Sequence, residues 1–154
     1  MQTQSLHHTK SGWGDAAVDG LISGVAAGLL MAVFLLVAGA FGGKGLADVL
    51  RQFDPGAGPA PLTGAVTHLA ISGVYGILFA SLWRPLARVW VRLPVWLFGL
   101  IYGLLLWLLA AAVTAARAGL GAGWLQGISA AQLAVAHLIY GLALGWSVRR
   151  LQRR

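Results

Sequence analysis

No cysteine and no glutamate occur among the 154 residues. The first absence removes disulfides, thiolate nucleophiles, Cys-ligated zinc and iron–sulfur clusters. The second leaves Asp15, Asp19, Asp48 and Asp54 as the only acids, none deeper than the edge of an apolar run. Proton and ion relays in membranes generally use buried carboxylates, so a transporter is disfavoured. A phosphate loop and a dinucleotide fingerprint are also missing. Ser72 and His68 share a helix face, but no acid is placed to orient the imidazole as a hydrolytic triad requires. The expectation is a protein that is not an enzyme. Charge is scarce as a whole, at 10% of residues, against about a quarter in soluble domains.

What is present is apolar. Hydrophobic residues make up 58% of the chain, too many for polar side chains to coat a globule, so the solvent must be largely lipid. The net charge of +7 comes from cations that flank apolar runs without forming a basic face. Anionic lipid headgroups, not nucleic acid, are therefore the expected partner. A bilayer core of ~30 Å takes about 20 apolar residues in a helix. Four segments qualify, at about 16–40, 62–83, 94–116 and 128–148. The runs are continuous and do not alternate, which excludes a membrane β-barrel. The first run exceeds the ~7–15 residues of a signal-peptide core, so it reads as a true span. The fold class is thus all-α: a polytopic four-transmembrane-helix bundle forming a single domain over 1–154. Lys10, Arg84, Arg88, Arg92, Arg149, Arg150, Arg153 and Arg154 fall on one side, and Lys44, Arg51 and Arg117 on the other. The positive-inside rule puts both termini in the cytoplasm, and an inner membrane is the expected location.

The first outer loop contains "GLADVLRQFDP", in which Leu46, Val49, Leu50 and Phe53 form one apolar stripe at helical spacing. This predicts a short interfacial helix ended by Pro55, with Asp48, Arg51, Gln52 and Asp54 turned away from the stripe. A lid over the bundle is favoured over a docking surface. Trp83, Trp90, Trp96, Trp124 and Trp146 fall near span ends, where an aromatic belt is expected, whereas Trp107 lies mid-span.

Lipid supplies no hydrophobic drive for helix association, so close backbone approach must do so. Small residues recur at four-residue spacing in every span: Gly20, Gly24 and Gly28; Ser72, Gly76 and Ala80; Gly99 and Gly103; Gly141 and Gly145. "HLAISGVYG" (68–76) and "HLIYGLALG" (137–145) align without a gap, which predicts a duplicated helix pair, a 2+2 repeat.

An ionisable group inside a membrane is a functional-site candidate by default. His68 and His137 could hold a haem or pigment between two helices, as facing histidines do in bundles. Counted from the ends of their runs, they differ in depth by three or four residues, about 5 Å, which opposes shared ligation unless tilt absorbs it. The alternative is a structural hydrogen bond to Ser72, Thr67, Ser129, Gln132, Tyr75, Tyr102, Tyr140 or a neighbouring carbonyl, and this is favoured. His7 and His8 lie in a polar tail.

"THLAISGVYGILFASLWRPL" (67–86), "FGLIYGLLLWLL" (98–109), "AGLGAG" (118–123) and "AHLIYGLALGW" (136–146) resemble a family of small, uncharacterised bacterial four-helix inner-membrane proteins. Positions carrying the resemblance are His68, Gly76, Ala80, Pro85, Gly99, Gly103, Trp107, Gly121, His137, Tyr140, Gly141 and Gly145. Family members tend towards methionine where this chain has Leu109, Ala110 and Ala111. The resemblance implies the four-helix fold and no reaction. The functional expectation is an accessory subunit beside other membrane-protein subunits of a respiratory or photosynthetic complex. A haem- or pigment-binding electron-transfer protein is the alternative, and a small transporter is a third.

Overall fold

The computed structural model describes residues 12–56, 58–89, 93–119 and 128–151. Lys10, Arg92, Arg153, Arg154, Trp90, Trp124, Gly121, His7 and His8 lie outside them. Five helices follow one another: α1 (Trp13–Phe41), α2 (Leu46–Arg51), α3 (Pro61–Val89), α4 (Val95–Gly119) and α5 (Ala130–Leu151). All but α2 are long and apolar enough to cross a membrane. Large apolar side chains such as Leu29, Val33, Leu105 and Leu142 stand exposed along them, the inverse of a water-soluble surface and the surface a bilayer solvates.

Local chemistry sets the ends. The Gly12 amide donates to Asp15 Oδ2 at 2.7 Å at the start of α1. Beyond its end, Gly43 takes a left-handed φ of 76° that turns the chain back. A reciprocal pair opens α5: Gln132 N to Ser129 Oγ at 3.2 Å, and Ser129 N to Gln132 Oε1 at 3.0 Å. The fourth span therefore starts at Ala130, two residues later than its apolar run. The second span runs further than expected, past Trp83 and through Pro85 to Val89. Proline removes one intrahelical bond without ending the helix here. Arg84 and Arg88 consequently sit on helix, not loop.

Two tight hairpins make the bundle. α1 packs most closely on α3 and α4 on α5, while α1 and α5 join the pairs and α3 barely approaches α4. The two seams share one register. A Cβ on Gly24 would strike Ser72 O and Gly76 Cα; one on Gly99 would strike Gly141 O and Gly145 Cα. Gly76 meets Gly20 O as Gly145 meets Val95 O. Ser72 and Gly76 thus play the parts of Gly141 and Gly145, the alignment that superposes His68 on His137. The repeat is present in contacts as well as letters. Gly28 packs on Ser72, Gly103 on the His137 carbonyl, and Ala80 on Gly20.

Where α3 faces α4, aromatic rings replace glycine. Phe79 lies 5.2 Å from Phe98 and 5.3 Å from Tyr102, and Trp83 lies 5.4 Å from Phe98. These bulky pairs hold the two helices apart at one end. At that end Arg84 donates to Gly12 O and lies over the Trp13 ring, and Arg150 lies 3.9 Å from the Trp146 ring. Arg117 marks the opposite end, donating to Pro55 O at 3.0 Å.

The loop helix covers that opposite end. Val49 and Phe53 are buried and Leu50 partly so, but Leu46 is 63% exposed, so the predicted stripe is shorter by one residue. Phe53 lies just beyond α2, not within it. Val49 fits against Gly39, and Leu50 O against Gly64, where a methyl group could not stand. Asp48 and Arg51 pair at 2.9 Å on the outside, as expected of solvated residues. Asp54 does the reverse of expectation: it is buried and accepts Gly56 N at 2.8 Å and Ala60 N at 2.9 Å. Its carboxylate supplies the acceptors for loop amides that no helix satisfies.

Candidate functional site

His68 is the eighth residue of α3 and His137 the eighth of α5. The expected difference in depth therefore disappears, because α5 begins later and α3 earlier than their apolar runs. Tyr140 donates to Ser72 O at 2.7 Å, tying the two helices at the level one turn from both histidines. Both rings line one cavity of about 180 Å³. Its walls come from α1 (Met31), the α2–α3 loop (Phe53), α3 (His68, Ile71, Ser72, Tyr75), α4 (Leu106, Leu109, Ala110, Val113) and α5 (Leu133, His137, Tyr140).

The cavity exists because of the spacing between helices. Glycine brings α3 onto α1 and α5 onto α4, and the aromatic pairs prevent α3 from closing on α4. Past those pairs nothing large fills the gap. Of the residues that line the cavity, Ile71 on α3 and Leu109 on α4 are 39% and 48% exposed on the outer face of the bundle. The opening therefore faces the hydrocarbon side, between α3 and α4. Phe53 stacks on His68 with ring centroids 4.6 Å apart and closes the loop side.

The two imidazoles are held differently. His68 Nε2 donates across the seam to Gly28 O at 3.0 Å, one of the neighbouring carbonyls expected for it. His137 Nδ1 donates to Leu133 O in its own helix at 2.8 Å, a partner not among those expected from the sequence. The carbonyls can only accept, so each of these nitrogens carries the hydrogen in a neutral ring. His137 Nε2 and His68 Nδ1 are each left with a lone pair and no hydrogen-bond partner among the described residues. Of the side-chain candidates, Ser72, Tyr102, Tyr140, Ser129 and Gln132 are engaged elsewhere, while the Thr67 and Tyr75 hydroxyls have no partner among the described residues. Ser72 donates to His68 O at 2.7 Å and Tyr102 to Tyr75 O at 2.9 Å, while Ser129 and Gln132 cap α5.

Among the described residues, no Asp, Lys or Arg lines this cavity, so none of them compensates a charge there. Among the described residues, no cluster of three or more His, Asp or Glu is placed to hold a metal ion. The volume is that of a single six-membered ring: a cavity of ~150 Å³ accommodates benzene. A four-pyrrole macrocycle enters only if the hairpins part. Outside the cavity, Asp54 is the loop's ionisable anchor. Its amide donors, Ala60 first and then Gly56, hold its carboxyl below the ordinary carboxylate value.

Sequence reasoning missed Phe53 as a ring partner for His68, and it missed Met31, Ile71, Leu106 and Leu133 as walls. The signal for Phe53 was faint: an aromatic at the end of a short stripe, eleven residues before α3 presents Gly64. The walls carry no signal beyond being apolar. Trp107, singled out in mid-span, does not line the cavity, and its indole N–H is buried without an acceptor among the described residues.

No curated protein and no solved structure matches the chain. A family model does match, over residues 15–154, which takes in all four spans and both histidines. The chain belongs to this family, described as a family of unknown function (DUF6789).

Proposed function

We propose that this multi-pass membrane protein is a non-enzymatic accessory component that takes an apolar, ring-bearing molecule from the bilayer and keeps it between its hairpins, beside a larger respiratory or photosynthetic membrane complex. The observation that carries the reading is the ring-sized cavity, walled by four helices and both intramembrane histidines, with its mouth towards lipid. Binding sites of this kind are mostly apolar with a few placed polar groups, and they recur between helices of bundles. The neighbouring-subunit part of the proposal rests on the sequence. The orientation does too: the end bearing Arg84, Arg88, Arg149 and Arg150 faces the cytoplasm.

Organic extraction of the purified protein followed by mass spectrometry tests the cavity. The expected result is a neutral aromatic compound that is lost when Ala110→Trp fills the space. Recovery of lipid alone from both proteins contradicts the reading. Native gels in mild detergent test the partner, and a lone monomer as the sole species there would remove the accessory role.

The second reading is haem ligated by His68 and His137, and their equal depth on one cavity favours it. An absorption spectrum separates the two readings. A Soret band that disappears in both His68→Ala and His137→Ala would replace the ring ligand with haem.

A further inference from the structure

We infer that the cavity selects a hydrogen-bond donor: a neutral six-membered aromatic ring bearing a hydroxyl and an apolar chain, its O–H accepted by His137 Nε2. This deepens the ligand-holding reading and rests on it.

All but one of the polar hydrogens in the wall, that of Tyr75, are already committed. Tyr140 gives its hydroxyl hydrogen to Ser72 O at 2.7 Å, Ser72 to His68 O at 2.7 Å, and His68 Nε2–H to Gly28 O at 3.0 Å. His137 spends its Nδ1–H on Leu133 O at 2.8 Å. The wall therefore offers lone pairs, at His137 Nε2 and His68 Nδ1, where a polar ligand atom must sit. The hydroxyl is assigned to the first because Phe53 already stacks on the His68 ring, whereas no described ring stacks on His137. His137 is only 9% exposed as a residue, its Nε2 is not fully buried, and an acceptor left unmet away from water is costly. A ligand hydroxyl removes that cost, whereas a carbonyl or ether oxygen at the same place faces another lone pair. Tyr75 is the one lining hydroxyl with no acceptor among the described residues, so a second ligand oxygen has one donor to meet.

Neutrality follows from the uncharged wall, and the single ring follows from the volume. The chain follows from the mouth: a substituent leaving between Ile71 and Leu109 emerges among acyl tails and not in water. A hydroquinone and a simple alkylphenol share this chemistry.

Three probes decide the matter, each measured for binding to the purified protein in lipid nanodiscs and corrected for partition into empty nanodiscs. They are para-heptylphenol, its methyl ether, and heptylhydroquinone. The phenol is expected to bind about tenfold tighter than the ether, the effect of one buried hydrogen bond. In His137→Leu that preference should vanish while both probes still bind. Should that variant not fold, the phenol–ether pair on the native chain decides alone. Tighter binding of the hydroquinone than of the phenol marks hydroquinones as the source, and equal binding marks alkylphenols. An ether that binds as well as the phenol overturns the donor selection and leaves the cavity reading standing. Failure of all three probes removes the cavity reading itself.

Discussion

The two hairpins share a seam and differ in what they do with it. In the first, α1 and α3 meet through Gly24, Ser72 and Gly76; in the second, α4 and α5 meet through Gly99, Gly141 and Gly145, contact for contact. Yet His68 spends its Nε2–H across the seam on Gly28 and lies under Phe53, while His137 bonds within its own helix and keeps Nε2 for the cavity. The first hairpin carries an inserted helix, α2, which closes the end opposite Arg84. The packing register is the part a repeat preserves, because a backbone carbonyl at van der Waals distance tolerates no side chain. The ring partners sit beside the seam and were free to diverge into one histidine tethered across the seam under Phe53 and one tethered within its own helix.

The largest effect expected is on the seam itself, and it should be equal in the two halves. Gly76→Leu and its equivalent Gly145→Leu each drive a branched side chain into a facing carbonyl, of Gly20 and Val95 respectively. Overpacking usually costs about 1–3 kcal/mol, and against unyielding backbone each should lose more than about 3 kcal/mol. Unfolding in mixed detergent micelles measures both, and a tolerant second hairpin beside an intolerant first would break the equivalence. Gly14, where an added methyl group would meet nothing within 4 Å, is the control: Gly14→Ala should leave stability unchanged or slightly raised.

Phe53→Ala sharpens the asymmetry. It removes a buried ring and the cover over His68, at a cost of roughly 3 kcal/mol. It should also speed exchange of a bound probe, whereas truncating exposed Leu46 should do neither.

Asp54 comes next and confines pH dependence to the first hairpin's loop. Its folded-state carboxyl titrates lower than in the unfolded chain. The folded state therefore favours the anion. That contribution is complete above the ordinary Asp value of about 3.9 and fades as pH falls through the lowered one. Asp54→Asn should flatten the acid limb of the stability profile without altering ligand binding. An unchanged acid limb would show that the loop amides do not depend on that charge.

The smallest effect separates the histidines. His68→Leu loses an interhelical hydrogen bond, worth ~0.6 kcal/mol on average in a membrane protein. His137→Leu loses none between helices, so His68→Leu should destabilise the bundle slightly more, while His137→Leu should be the one that changes ligand preference.

These contrasts also show what the sequence makes legible. Continuous apolar runs declare four spans because length in a bilayer is fixed, and glycines four apart declare a seam because they line one helix face. The His68–His137 alignment announced the repeat. Helix ends were less visible. The second apolar run stops at about 83, yet α3 continues through Pro85, which costs a single bond, and Ser129 with Gln132 moved the start of α5, which changed the relative depth of the histidines. The role of Asp54 depends on amides two and six residues away in an irregular loop. The cavity depends on a gap between α3 and α4, set by Phe79, Trp83, Phe98 and Tyr102, and no local pattern encodes a distance between helices.

The most direct measurement is imidazole ¹⁵N NMR of the folded protein in nanodiscs, with the tail residues His7 and His8 replaced by Gln. Opposite neutral tautomers are predicted, with His68 protonated at Nε2 and His137 at Nδ1. On addition of para-heptylphenol, the His137 Nε2 signal should move and the His68 Nε2 signal should stay. The same tautomer at both positions, or a His137 signal indifferent to saturating probe, would contradict the account.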